Sequence, residues 1–347
     1  MLSLTTKVFS SKQISMEKKI ESLGEKEEEL SDEIEQLLTT LPKVKNWNGL
    51  ELCQYQGFWC GSRYLRGMIR FQRQFEAQDN DITLATFPKC GTTWLKALIF
   101  TIANRSKYSL DNSPLLSQCS RELVPSCDQN LFMRDPLPVL EDLPKPRIFA
   151  THAPYPSLPN SIKNSNCRIV YICRNPSDQF VSNWKFMLRI RVPNTEPISI
   201  DEAFEMACQG KQSFGPIWEH VLGYWKASKE EPHKVLFLKY EDLKENNKFY
   251  VKQLADFIGY PFTKDEEKQG KVEEISKFCS FDNMSNLEVN KNGEYFKEIK
   301  NDIFFRKGSV GDWKNYLTPS MSEHLEKIIE EKLSGSGLTF KKTLEDP

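Results

Sequence analysis

The stretch FPKCGTTWLKAL, residues 87–98, sets a lysine, a cysteine, a glycine and two threonines in unbroken order: Lys89, Cys90, Gly91, Thr92 and Thr93. An apolar run precedes them and an amphipathic one follows. The chemistry of this set is anion binding. Amides at the start of a helix have no internal partners, and the helix dipole puts partial positive charge there. A phosphate-like group fits such a place. Gly91 lets the backbone come close to the anion and take a positive φ. The threonine hydroxyls add donors, and Lys89 adds a full charge. On its own the string also reads as a turn carrying an exposed lysine. It is not the GxxxxGK[ST] loop of nucleotide triphosphatases, because the lysine stands two residues before the glycine. A second candidate is a histidine. Of His152, His220, His233 and His324, only His152 closes a run with strand character, RIFAT at 147–151. The other three lie in helical stretches or before a strand and are read as structural. An imidazole titrates near neutrality and can take a proton from a hydroxyl.

These residues need a frame. Short, nearly continuous apolar runs occur at 82–87, 147–151, 168–173 and 234–240, as expected for strands buried on both faces. Helical patterns follow at 93–105, 177–190, 214–229 and 246–258. In the first of them Leu95, Leu98, Ile99 and Ile102 fall on one face. This alternation implies an α/β fold: one domain with a central, mostly parallel sheet flanked by helices and a P-loop-like anion-binding turn. Ligands of such sheets sit at the carboxyl ends of the strands, where Lys89 and His152 both fall. Pro- and Ser-rich stretches at 109–127 and 154–161 read as loops on that face.

The motifs resemble those of the cytosolic sulfotransferases, especially the plant branch. FPKCGTTWLKAL is similar to that family's phosphosulfate-binding loop, and YICRNPSDQFVSNW (171–184) to its 3′-phosphate element. FATHAPYPSLP (149–159) resembles the segment with the catalytic histidine, and FFRKGSVGDWKNYLTP (304–319) the C-terminal signature. The resemblance runs from about residue 45 to 340. It implies a donor, 3′-phosphoadenosine 5′-phosphosulfate (PAPS), with no metal. It implies that Lys89 stabilises the oxygen that bridged sulfur to phosphorus and that His152 acts as base. Cys90, Gly91, Thr92 and Thr93 would hold the 5′-phosphate, and Trp94 would stack on adenine. Arg174 and Ser182 would read the 3′-phosphate, with Arg306, Lys307 and Gly308 beside it. Tyr240, Ser280 and Phe281 would complete the nucleotide site. CSF at 279–281 departs from the commoner TSF, and Ala150 stands where animal relatives carry a lysine. That leaves one fewer cation near the sulfuryl group. Cys90 at a helix start is in a setting that lowers a thiol pKa and would open it to oxidants, but it reads first as a small residue whose amide does the work. The acceptor side is expected near Phe58, Trp59, Phe132, Met133, Tyr155, Phe186 and Met187. This lining suits a flavonoid, another phenolic, a steroid-like or a jasmonate-like hydroxyl compound.

Bulk properties agree with a small-molecule enzyme. The chain has 347 residues and a net charge of −1, which argues against a general nucleic-acid binder. Nine cysteines at irregular spacings, with no CxxC pair, suggest a reduced, cytoplasmic protein. No apolar stretch is long enough to span a membrane. Residues 1–44 read as a tail and an acidic helix, with nine acids and three bases over 17–35. The catalytic domain is set at 45–345. Residues 1–16 lack acids but also lack the arginine of a transit peptide, and read as a tail. KNYLTPSMSE (314–323) follows the family's dimer pattern at Lys314, Thr318 and Glu323. Pro319 replaces the usual valine, so a monomer or weak homodimer is expected. Two other classes remain: a P-loop kinase, with Asp242 read as a Walker B acid, and a nucleotide-binding adaptor using the acidic helix.

Overall fold

The computed structural model describes residues 27–296 and 299–341. The chain divides into two compact units, 1–42 and 43–347. In the first, residues 27–40 are helical; residues 17–26 of the expected acidic helix lie outside the described residues.

The second unit opens with an antiparallel sheet of β1 (Lys43–Lys45), β2 (Glu51–Tyr55) and β3 (Phe58–Gly61). Gln56 and Gly57, at φ 51° and 85°, join β2 to β3 as a tight hairpin. Helix α1 (Ser62–Gln74) leads to the central sheet of β4 (Ile82–Thr86), β5 (Ile148–Thr151), β6 (Arg168–Cys173) and β7 (Val235–Lys239). All four are parallel, in the order β5-β4-β6-β7. Every residue of β4 and β5 is buried. That is why these strands read as unbroken apolar runs rather than alternating ones. The chain leaves β4 for one neighbour and later returns to the other side. The carboxyl end of β4 is therefore a topological switch point, where a cleft opens.

Helix α2 (Thr92–Asn104) follows β4 and is buried on nearly every side. Leu95, Leu98, Ile99 and Ile102 pack with Leu84, Val170 and Ile172 of the sheet and with Leu254 and Ile275 from helices α5 (Asn247–Phe257) and α6 (Lys271–Phe278). Helix α3 (Pro176–Arg189) follows β6, and α4 (Ile217–Glu230) precedes β7. Helix α7 (Pro319–Leu333) closes the unit. Observed bounds fall within three residues of the expected ones. Helix α4 starts later than expected because Pro216 forms its N-cap. Tyr240 does not end a strand but begins a short helix, Tyr240–Glu245. The segment 109–127 contains short helical turns, among them Ser120–Leu123, and 154–161 likewise carries the turn Tyr155–Ser157. At the opposite, amino edge of the sheet, Arg147 Nε donates to Asp81 Oδ1 at 2.7 Å, both side chains being buried.

Candidate active site

The turn from β4 to α2 is strained where it faces the cleft. Lys89 has φ 68°, a left-handed conformation that costs a non-glycine residue energy. Gly91 caps α2 at φ 104°, and a Cβ there would lie 2.9 Å from the Tyr240 ring. Glycine is required twice over. The Lys89 ammonium lies 4.2 Å from the centre of the Phe186 ring and 5.6 Å from that of Phe304. Its pKa is lowered to about 7, first by desolvation, then by Arg174, Arg306, Arg121 and Arg189. Four guanidinium groups close enough to depress a buried lysine describe a hole shaped for a polyanion.

Beside it stands His152, at the carboxyl end of β5, the strand adjacent to β4. Its Nδ1 lies 2.7 Å from the Thr86 carbonyl oxygen and 3.1 Å from Thr86 Oγ1. A carbonyl only accepts, so Nδ1 carries the proton and Nε2 keeps its lone pair. Thr86 Oγ1 is also 2.7 Å from Thr92 Oγ1, which ties the imidazole to the anion loop. The backbone of His152 is held on both sides. Its amide donates to Asp128 Oδ2 at 3.2 Å, and its carbonyl accepts from His220 Nε2 at 2.9 Å. His220 is fully buried and in turn accepts from the Tyr171 hydroxyl at 2.9 Å. Burial lowers His152 to about 4; the Thr86 hydrogen bond opposes this, while Lys96, Arg121 and Lys89 add to it. The imidazole is neutral at pH 7 and so holds the form a base needs.

The cleft has a volume of about 1680 Å³, and Lys89, His152, Gly91, Thr92, Thr93 and Trp94 line it. Arg174, Ser182, Tyr240, Ser280, Phe281, Arg306, Lys307 and Gly308 line it too. Arg174 is buried, donates to the Ser309 carbonyl at 2.7 Å, pairs with Asp178 at 3.6 Å and lies over the Tyr240 ring. Arg306 pairs with Asp312. Gly308, at φ 63°, lets the Phe281 ring lie directly against the chain. The Ser280 hydroxyl accepts from Asn283 N as a helix cap. Arg174 Nε, Arg306 Nε and Trp94 Nε1 are buried and make no hydrogen bond with any described residue. These orphaned donors fit a nucleotide with phosphate and sulfate groups.

Several expectations are corrected. The Cys90 side chain is fully buried and does not line the cleft. Burial pushes its thiol well up, outweighing the helix start that would lower it. The oxidant-sensitive alternative loses its basis, and only the backbone of Cys90 is left to serve an anion. Phe58, Trp59, Phe132 and Tyr155 do not line the cleft either. Phe132 packs on Phe71 and Phe75, Phe58 on His220, and Tyr155 on Tyr224. Met133, Phe186 and Met187 do line it. Asp242, the would-be Walker B acid, pairs with Lys341 at 3.7 Å. Three residues escaped the sequence reading, Thr86, Asp128 and Lys96, while His220, read as structural, props the His152 backbone. For Lys96 a signal existed, a lysine set in an apolar helix. For Asp128 none did. Among the described residues, no group of three or more His, Cys, Asp or Glu side chains could hold a metal ion.

With this geometry in view, comparison with known proteins is specific. The sulfotransferase domain family matches residues 79–337. Cytosolic sulfotransferase 15 of Arabidopsis thaliana is 44% identical over 322 residues, covering 92% of this chain and 90% of that protein. Cytosolic sulfotransferase 5 of the same plant is 46% identical over 316 residues, 90% of this chain and 98% of that one. The crystal structure of mouse sulfotransferase SULT7A1 complexed with PAP is 26% identical, with a TM-score of 0.63 over 82% of this chain and 95% of that one.

Proposed function

This chain belongs to the sulfotransferase domain family and is a PAPS-dependent transferase, and from that premise we propose that it sulfates a hydroxyl of a small metabolite with His152 as general base. Bound PAPS supplies the sulfuryl group. Lys89 and the Gly91–Thr93 turn hold its anionic centre, and Arg174, Ser182 and Arg306–Gly308 hold the far phosphate. His152 Nε2 takes the proton of the acceptor hydroxyl. The observation that carries this is the hydrogen bond from Nδ1 to the Thr86 carbonyl, which fixes the basic nitrogen away from β4. Met133, Phe186, Met187 and Phe214 give the acceptor an apolar bed. That suits a flavonoid, other phenolic, steroid-like or jasmonate-like compound. The protein works in the cytoplasm, as its relatives' names indicate for them, as a monomer or weak homodimer, without nucleic acid or membrane. No described helix is long and apolar enough to cross a membrane.

The test is transfer of labelled sulfate from PAPS to a panel of hydroxylated metabolites, with His152→Ala alongside. The variant should lose about 10³-fold in kcat, within the range for removing a general base. Its affinity for PAP, read by thermal shift, should stay within a few-fold. Full activity in the variant would remove His152 from the mechanism.

A further inference from the structure

The reading above uses Lys89 and the nucleotide-side arginines. It leaves a second buried lysine unexplained. Lys96 stands one turn beyond Thr92 in α2, is 2% exposed, and lines the same cleft as His152. Its ammonium donates to Ser126 Oγ at 3.2 Å, a neutral partner. Burying an ammonium against a hydroxyl is costly unless a counter-charge arrives. The nearest carboxylate to reach it is Asp128, whose Oδ2 already accepts from the His152 amide. Burial pushes Asp128 up to about 6, so it is mostly ionised at neutral pH, but the Lys96 ammonium spends its hydrogen bond on Ser126.

Lys96 has company. Arg121, lying 4.3 Å over the Phe304 ring, bears on both Lys96 and His152, and Arg134 and Arg63 line the same cleft. Among the acids of that lining, Glu51 pairs with Lys43, and Glu122 accepts from Cys119 N. Lys96 is thus a buried lysine beyond the nucleotide's own cradle of Lys89, Arg174 and Arg306. PAPS belongs on that cradle, so this lysine faces the acceptor.

We propose that the natural acceptor is a hydroxylated acid, and that Lys96 binds its carboxylate (or a like anion) while His152 addresses its hydroxyl. This rests on the sulfotransferase reading and narrows it. The arrangement gives two gains at once. A carboxylate on Lys96 makes a charge-assisted hydrogen bond in a dry site. It also cancels the charge that, of all neighbours, most opposes protonation of His152, and so makes the imidazole a better base. A neutral acceptor of the same shape gains neither. Lys96 would then also stand in for the cation missing at Ala150.

The experiment compares matched pairs: hydroxybenzoates, hydroxycinnamates and hydroxylated fatty acids against their methyl esters. Each is measured by sulfation with PAPS and by binding to the PAP complex. The wild type should favour acid over ester by about 30-fold or more in kcat/KM, the lower end for a buried charge pair. Lys96→Met should bring that ratio near one by hitting the acid, whereas Lys96→Arg should keep most of it. A thermal shift with PAP establishes that each variant is folded. Equal use and equal binding of acid and ester by the wild type would overturn the proposal, as would an undiminished preference in Lys96→Met. Failure of the broader reading looks different: no binding of PAP and no sulfation of either member of any pair.

Discussion

At the scale of single residues, the free cleft stores positive charge in a form that a ligand can switch. Lys89, lowered to about 7, is largely neutral above that pH while no anion is near. A bound sulfate or phosphate group favours the ammonium and pushes the pKa back towards the ordinary lysine value. Binding of PAP should therefore take up close to one proton at pH 8.5 and close to none at pH 5.5, where the ammonium already exists. Calorimetry in buffers of different ionisation enthalpy reads this directly. Lys89→Met should remove most of the uptake; uptake that is the same at both pH values would contradict the assignment. The loop residues were legible because they are contiguous, from Lys89 to Trp94. Thr86 acts through its carbonyl oxygen, which no side-chain motif advertises. Asp128 and His220 reach His152 from segments 24 and 68 residues away. A sequence read alone gives no reason to join them.

At the scale of elements, the strands and long helices were legible because each carries its own periodicity. The stretch between α2 and β5 was not, because its order comes from partners elsewhere. Cys127 N donates to the Ala150 carbonyl at 2.8 Å, and Ala150 N donates to Pro125 O at 2.9 Å, so this loop lies along β5 without a strand pattern of its own. The segment after Phe305 is similar. It is held on the first turn of α3, where the fully buried Asp178 accepts from Gly311 N at 2.7 Å and Trp313 N at 3.0 Å and pairs with Arg174. One carboxylate thus fixes both the 3′-phosphate arginine and the loop bearing Arg306–Gly308. Asp178→Ala strands a buried guanidinium and two amides. It should cost about 3–5 kcal/mol of stability, measured by urea unfolding. It should also weaken PAP binding by about tenfold or more, since two sides of the phosphate cradle lose their anchor. A variant as stable as wild type, with unchanged PAP affinity, would show that the loop is held by something else. Pro319 has a plain role at this scale: it occupies the first turn of α7, after the Thr318 cap, where its missing amide costs nothing.

At the scale of the whole molecule, composition indicated a protein of free thiols, and all nine cysteines are unpaired, eight of them buried. Composition could not say where the thiols lie, and that placement has a thermodynamic consequence. Cys60, Cys90, Cys127, Cys173 and Cys279 are at most 1% exposed, and burial raises the pKa of each. Unfolded, these thiols ionise near pH 9; folded, they stay protonated. Groups whose folded pKa is raised contribute stability that is fully present below the unfolded pKa and is lost as pH climbs past it. Lys89 and Lys96 work the other way, since their folded pKa is depressed and the unfolded chain binds the extra protons up to about pH 10.5. Five thiols against two lysines leave three groups unopposed. Above pH 9 the loss approaches roughly 4 kcal/mol per pH unit at about 1.4 kcal/mol per group. Buried Tyr171 and Tyr224, also raised, add to it near pH 10 and beyond. The melting temperature, followed by calorimetry under reducing conditions, should therefore climb from about pH 7 as the two lysines act alone, turn over just below pH 9, and then fall steeply. Adding PAP should raise the curve at every pH, but by less as pH climbs above 7, because binding must then also protonate Lys89. A melting temperature that stays level or rises between pH 9 and 10.5 would mean that the thiols ionise in the folded protein as readily as in the unfolded chain.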